Sequence, residues 1–135
     1  MKFSTKTRYG LRILLQIAET KDKKFVQGKE IARAQKITEP YMEQIMISLK
    51  NARLIKTTRG CFGGYALTRS PSEIKLSEII ELFEGPIYFT NCVEDKDSCD
   101  LINNCKAHVL WKKLAARIKN IFDNISLEEI MLNKI

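Results

Sequence analysis

The chain has 135 residues, of which 44% are hydrophobic and 29% are charged, and its formal net charge is +7. This length accommodates one domain with an appendage rather than two full cores, and the hydrophobic content excludes wholesale disorder. No apolar run reaches the roughly 20 residues of a membrane span and no secretory signal pattern is present, so we expect a cytoplasmic protein without a membrane partner.

The positive charge is concentrated in the first half of the chain. Residues 1–70 contain fifteen Lys and Arg against five Asp and Glu, whereas residues 71–135 contain eight against eleven. A basic half joined to a mildly acidic half predicts contact between the first half and a polyanion, although a solvated basic face would give the same balance.

Three helices are predicted in this basic half. The first begins at the N-cap residue Ser4 and runs to about residue 19. After a charged turn at 20–24, a short helix is predicted over 28–35 and a third over about 38–51, with a threonine cap and a proline in its first turn. Two short helices joined by a tight turn are the helix-turn-helix pattern.

A β-hairpin is predicted directly after the third helix. The β-branched residues 54–59 lead into a glycine-rich tip at 60–64, and a second strand resumes at 65–68. A helix-turn-helix followed by a basic hairpin is a winged helix. We therefore predict a mainly α fold with a small β wing, in which residues 1–86 form the DNA-binding domain.

The second half is predicted to contain a long helix. A short helix over 77–84 stops at Gly85, and residues 87–104 show no periodicity. Helical spacing then resumes over about 104–124, before a capping box at 126–129 opens a last short helix. We predict that residues 87–108 form a cysteine-rich, cluster-binding loop and that residues 109–135 carry the dimerisation helix. A heptad seam predicts pairing of two chains, with packing on the chain's own domain as the alternative: Trp111, Leu114, Ile118, Ile121, Phe122 and Ile125.

The third helix is predicted to enter the major groove of DNA, where its N-terminal part meets base edges. Gln44 can pair with adenine and Glu43 can accept a hydrogen bond from cytosine N4. Arg59, at the base of the wing beside Gly60, is placed to enter a minor groove. Further candidates for base contact are Thr38, Glu39, Tyr41 and Ser48, and candidates for phosphate contact are Lys2, Lys6, Arg8, Lys50, Arg53 and Lys56.

Three cysteines and the single histidine are clustered as Cys92, Cys99, Cys105 and His108. Zinc knuckles and ribbons pair their ligands at closer spacing, and no such pair is present. Soft ligands at wide spacing in an irregular loop indicate an iron–sulfur cluster, with a zinc site or metal-free redox thiols as rivals. Because neither a CxxC redox pair nor a glycine-rich nucleotide loop is found, the sequence predicts no enzyme.

Several motifs together resemble the IscR-like family of winged-helix iron–sulfur regulators. They are Tyr9-Gly10-Leu11-Arg12, Tyr41-Met42-Glu43-Gln44-Ile45, Arg59-Gly60-Cys61-Phe62-Gly63-Gly64-Tyr65 and the cysteine–histidine block. The resemblance implies a homodimeric transcription factor, mainly a repressor, that binds a two-fold operator in double-stranded DNA. It further implies one [2Fe–2S] cluster per subunit, held by Cys92, Cys99, Cys105 and His108, and control of iron–sulfur assembly or stress genes; a form without its cluster is also compatible with the sequence.

Related subgroups sense nitric oxide, or regulate cysteine metabolism without a cluster. Retention of the three cysteines argues against the cysteine-metabolism group, and His108 favours the assembly regulators over the nitric oxide sensors. The chain departs from the family pattern at Lys36 and Arg53, where glycine is common. If both residues keep a left-handed backbone, each costs around 1–2 kcal/mol, which extra phosphate contact by these basic side chains could offset.

Overall fold

The computed structural model of the chain describes residues 2–20 and 23–135. Two residues of the predicted charged turn, Lys21 and Asp22, lie outside the described residues. The architecture is a mainly helical winged helix with one two-stranded antiparallel sheet, which confirms the predicted fold class. The elements in chain order are α1 Thr5–Glu19, α2 Gly28–Gln35, α3 Glu39–Asn51, β1 Ile55–Thr58, β2 Gly64–Leu67, α4 Leu76–Glu84, α5 Asn91–Glu94, α6 Lys106–Asn124 and α7 Leu127–Met131.

Local capping hydrogen bonds fix where the helices begin. The Ser4 hydroxyl accepts from the backbone N–H of Thr7 at 3.2 Å and begins α1. At α7 the capping box is complete: the Ser126 hydroxyl accepts from the Glu129 N–H at 3.2 Å, and the Glu129 carboxylate accepts from the Ser126 N–H at 2.8 Å. The predicted helix starts at Ser4 and Ser126 are confirmed, because these side chains satisfy N–H groups that have no partner within the helix.

The wing is a two-stranded hairpin, and residue 26 pairs with the free edge of its second strand in an isolated antiparallel bridge. In the hairpin, Ile55 pairs with Leu67 and Thr58 with Gly64. Val26 and Tyr65 then exchange two backbone hydrogen bonds of 2.8 Å. A Cβ at Gly64 would lie 2.3 Å from the Val26 carbonyl oxygen, and its φ is +150°, so this close approach requires glycine.

The hydrophobic core includes residues from both ends of the chain. The C-terminal segment is bound to the residues before α4, because the Leu76 N–H donates to the Ile125 carbonyl and the Leu127 N–H donates to the Ile74 carbonyl, both at 2.9 Å. Leu127 is thereby fully buried with α1 and α3. The main core side chains are Ile13, Leu14, Ile31, Ile45, Leu49, Leu54, Ile74, Ile79 and Leu127.

One face of α6 packs against α4 of its own chain. Lys119 on α6 forms an ion pair with Glu81 on α4, and the ring of Phe122 lies 6.4 Å from that of Phe3. Within the predicted seam, Ile121 is 54% exposed. Trp111, Leu114, Ile118, Phe122 and Ile125 are half-buried in the single chain. Among the described residues, none of the helices has the length and apolar character needed to cross a membrane.

Candidate functional site

The exposed face of α3 presents three of the predicted base-contacting residues. Glu39, Glu43 and Gln44 are all solvent-exposed. Thr38 caps the helix, its hydroxyl accepting from the Tyr41 N–H at 3.4 Å. The half-buried Tyr41 ring packs edge-on against Tyr9 at 6.0 Å between centroids. These contacts pack the start of α3 against α1 and leave its polar side chains on the outer surface.

A cleft separates α3 from the wing. Its lining includes Glu43, Ile47, Lys50, Thr58, Arg59 and Tyr65. Burial, and secondarily the negative charge of Glu43, raise the pKa of the Tyr65 hydroxyl above its ordinary value. The predicted minor-groove residues Arg59 and Gly60 are exposed in the loop between β1 and β2, where the Gly63 N–H donates to the Gly60 carbonyl at 3.0 Å. Arg59 therefore lies at the wing tip rather than at the base of the wing, because β1 already ends at Thr58.

Basic residues line a second cleft on the neighbouring surface: Lys50, Arg53, Lys56 and Arg69. Arg69 is bound to Glu78 of α4 at 2.6 Å. Burial raises the pKa of the Glu78 carboxyl, but the hydrogen bonds from Arg69 and the Lys75 N–H outweigh that effect, and the net pKa is lowered. Three predicted phosphate-contact residues thus share one surface beside α3, while Lys6 and Arg8 are exposed on α1.

Two basic residues in turns have left-handed backbones. Lys36, which ends α2, has φ +55°, and Arg53, which follows α3, has φ +58°. The N–H groups of the next residues donate five positions back, Ile37 to Ala32 at 3.1 Å and Leu54 to the carbonyl of residue 49 at 3.0 Å. This is the Schellman arrangement, whose left-handed position favours glycine. Lys36 and Arg53 therefore both keep the left-handed backbone on which the expected strain depends.

The cysteine-rich segment between α4 and α6 contains only short helical pieces. Cys92, Cys99 and Cys105 are half-buried free thiols, whereas Cys61 is an exposed free thiol in the wing. The Sγ of Cys92 lies 3.2 Å from the Thr90 hydroxyl. Cys105 is the N-cap of α6 and accepts from the His108 N–H at 3.4 Å. Cys105 and His108 thus meet at the first turn of the long helix.

The donor set fits an iron–sulfur cluster in its chemistry. The Nδ1 atom of His108 is buried and has no hydrogen-bond partner among the described residues, which leaves a buried nitrogen available to a ligand. Three free thiols lie in the same segment. In the described conformation, however, no three potential ligands among residues 2–20 and 23–135 lie close enough together to hold a metal ion. Binding a cluster would therefore require the segment to close around it.

Further residues that the sequence did not single out lie near α3 and the wing. The Arg12 guanidinium lies 5.2 Å above the Tyr9 ring, beside the start of α3. Ile47 is 60% exposed on α3, and Phe62 is 91% exposed at the wing tip. Ile47 lies one helical turn after Glu43, so a helical projection of α3 was the signal that could have found it.

Comparison with known proteins places the chain in a family of transcriptional regulators. The model of the Rrf2 family, described as an iron-dependent transcriptional regulator, matches residues 3–133. The chain belongs to the Rrf2 family. Over 130 residues it is 35% identical to the HTH-type transcriptional regulator CymR of Bacillus subtilis, covering 96% of this chain and 89% of that protein. It is 33% identical over 133 residues to the HTH-type transcriptional regulator IscR of Aliivibrio salmonicida, covering 98% and 79%.

Solved structures of Rrf2 regulators share the fold. The structure of CymR, the global cysteine regulator of B. subtilis, superposes with a TM-score of 0.80 at 32% identity, covering 98% of each chain. The T. potens IscR structure gives a TM-score of 0.75 at 31% identity, covering 100% of this chain and 89% of that one. Rrf2 regulators bind DNA and are typically dimeric. The resemblance to IscR-like proteins is thus confirmed, as is the prediction of a non-enzymatic, DNA-binding transcriptional regulator.

Proposed function

We propose that the chain is a homodimeric, sequence-specific regulator, mainly a repressor, that senses iron–sulfur, redox or iron status through a [2Fe–2S] cluster. The observation that carries this proposal is the buried Nδ1 of His108, which has no hydrogen-bond partner in the described part of the chain and lies in the same segment as the free thiols of Cys92, Cys99 and Cys105. Three thiols and an imidazole are soft ligands that suit iron–sulfur chemistry. The target genes are those of iron–sulfur assembly or stress defence, and the protein acts in the cytoplasm.

When bound, the cluster supplies one-electron redox chemistry and a sensitivity to oxidants and iron supply. The chain's own residues connect this segment to α4 and to the N-terminus of the winged-helix domain. Cys105 caps α6, and α6 is joined to α4 through Lys119 and Glu81 and to the N-terminus through Phe122 and Phe3. A change in the order of residues 87–108 therefore acts on the helix that positions the two DNA-binding domains of a dimer. A two-fold operator responds to that spacing.

The cluster proposal is tested by anaerobic purification. Visible absorption bands with about two irons and two sulfides per chain are expected. Alanine substitution of Cys92, Cys99 or Cys105 should abolish the bands, and His108→Ala should lower their intensity or shift them. Cys61→Ala is the matched control because it removes a thiol outside the segment, and it should leave the spectrum unchanged. A colourless wild-type protein would contradict the proposal.

The DNA-reading proposal is tested by selecting binding sites from random duplex DNA. We expect the wild type to select a two-fold sequence, with Gln44 on an adenine and Glu43 on a cytosine. Gln44→Ala should relax the preference at one position per half-site at a cost of about 1–3 kcal/mol, whereas Lys56→Ala should weaken binding to all sequences alike. Equal effects of these two variants on all sequences would overturn the assignment. Footprints of the protein with and without its cluster then show whether the cluster changes operator binding.

A second candidate is a cluster-free regulator that uses zinc or its thiols, and a nitric oxide sensor of the same family is a related variant. No three ligands are grouped among the described residues, which favours the form that uses its thiols without a metal, because zinc would need the same convergence of ligands as a cluster. The similarity to CymR, a cysteine regulator in B. subtilis, is as extensive as that to IscR. Stoichiometric zinc in a colourless protein, or operator binding controlled by thiol oxidation alone, would select this candidate.

A further inference from the structure

The outer face of α3 carries a large apolar side chain that the core does not use. Ile47 is 60% exposed, whereas Met42, Ile45, Met46 and Leu49 of the same helix are at most 2% exposed. The wing does not cover it, because this exposure is found with the hairpin in place. Ile47 is therefore available to a partner that approaches α3 from outside.

Ile47 lies on the face of α3 that the proposed function turns toward DNA. It follows Glu43 by four residues and Gln44 by three, which places the three side chains on adjoining positions of one helical face. It lines the cleft between α3 and the wing together with Lys50 and Arg59. Flanking cations draw the phosphate backbone toward this face, so the partner that meets Ile47 is duplex DNA rather than protein.

An isoleucine has no group that can hydrogen-bond to a base edge. Among the groups that line the major groove, the C5-methyl of thymine is the apolar one. A contact between two aliphatic groups also removes both from water, which favours binding. By contrast, Ser48 on the next position is half-buried and its hydroxyl donates to the Gln44 carbonyl at 3.4 Å, so it is already used within the helix.

We propose that Ile47 reads thymine by packing against its 5-methyl group, at one position in each half of the operator. This inference rests on the proposed reading of DNA by α3 and adds an apolar position to it. It assigns a specificity-determining role to Ile47 beside the polar contacts of Glu43 and Gln44.

The test replaces thymine by deoxyuridine, which removes only the 5-methyl group. Each A·T pair of the operator selected by the wild-type protein is substituted in turn, in both half-sites, and binding is measured at fixed salt for the full chain and for Ile47→Ala. One position should weaken wild-type binding about fourfold per methyl, or about 0.8 kcal/mol, and about sixteenfold for both half-sites. The same substitution should leave binding by Ile47→Ala unchanged.

Two controls keep this result specific. Ile47→Val retains a branched aliphatic side chain and should keep most of the sensitivity to deoxyuridine. Ile135→Ala truncates an isoleucine that is 76% exposed at the end of the chain, and it should behave as the wild type. The inference is overturned if no thymine position responds in the wild type, or if Ile47→Ala responds equally. Failure of the proposed function is distinguishable, because the wild type would then select no sequence at all.

Discussion

At the scale of single residues, Lys36 and Arg53 combine backbone strain with charge. Their φ values of +55° and +58° lie in the left-handed region, which costs a residue with a Cβ roughly 1–2 kcal/mol. Strain of this kind persists where the surrounding structure imposes it, and it is concentrated at functional positions. Both residues are exposed and basic; Lys36 lies in the turn between α2 and α3, and Arg53 follows the end of α3. We therefore propose that contact with DNA phosphates offsets the strain at these two positions.

Replacing Lys36 or Arg53 by glycine should stabilise the protein and weaken its electrostatic binding to DNA. Glycine relieves the strain but makes the unfolded chain more flexible, so the net gain in the free energy of unfolding should be up to about 1 kcal/mol. Each variant should also reduce the slope of log K against log salt by about 1–2 for a dimer. Thermal unfolding and salt titrations of operator binding measure the two effects.

The control for this prediction is Asn133→Gly. Asn133 also has a left-handed backbone, with φ +54°, but asparagine tolerates that region and carries no charge. This variant should gain less stability than the other two and leave the salt slope unchanged. An unchanged melting temperature together with an unchanged salt slope for both Lys36→Gly and Arg53→Gly would refute the account.

At the scale of elements, the two ends of the winged-helix unit meet at Glu84. Its carboxylate, at the end of α4, accepts from the Ser4 N–H at 2.7 Å and from the Thr7 hydroxyl at the start of α1. The hydrogen bonds from Thr7 and then from Ser4 lower the pKa of Glu84 below its ordinary value of 4.5. The ionised carboxylate thus also sits at the positive end of α1.

The lowered pKa makes the stability of this junction depend on pH. A carboxyl whose pKa is lower in the folded state adds stability above its unfolded pKa of 4.5, and loses it as the pH falls through the folded value. Glu84→Gln should therefore be less stable than the wild type near neutral pH, and the difference should vanish in acid. Denaturant unfolding at a series of pH values tests this, with the exposed Glu94→Gln as control. A gap that stays constant with pH would rule out the charge as its source.

The C-terminal helix α7 is part of the winged-helix core. Leu127 is fully buried on a helix that packs against α1 and the residues before α4, so Leu127→Ala should leave a cavity and cost about 2–5 kcal/mol. Leu132, which is 49% exposed just after α7, provides the matched control, and Leu132→Ala should change stability by no more than about 0.5 kcal/mol. Equal losses for the two variants in denaturant unfolding would show that α7 is only peripheral.

These elements also show which parts of the molecule the sequence predicts. Helix starts at Ser4, Thr38 and Ser126 are correct because capping depends on residues at most three positions apart. The bond from Ser4 to Glu84 joins residues 80 positions apart, and no periodicity encodes such a pairing. The cysteine–histidine pattern locates a candidate site, but spacing in an irregular segment carries no information about whether the ligands converge.

At the scale of the whole molecule, α6 has an inner and an outer apolar face. Ile118 and Phe122 turn inward and line a pocket with Phe3 and residues of α4. Leu110 and Ile121 remain 56% and 54% exposed on the single chain. The predicted heptad seam therefore combines positions that serve the chain's own fold with positions left free for a partner. An exposed apolar strip on a long helix is a surface on which two copies can pair.

The outer face should carry the dimer, so Ile121→Glu is expected to separate the subunits without unfolding them. Ile121 is exposed in the single chain, and its replacement leaves the core intact; a carboxylate facing its own copy is both desolvated and repelled. Sedimentation should show monomers with unchanged helical content. Operator affinity should fall by about 100-fold or more, because the two half-sites would then bind independently. Ile135→Glu places the same charge on a residue that is 76% exposed at the C-terminus, and this variant should remain dimeric. If Ile121→Glu sediments as a dimer and binds its operator normally, the subunits must pair through another surface.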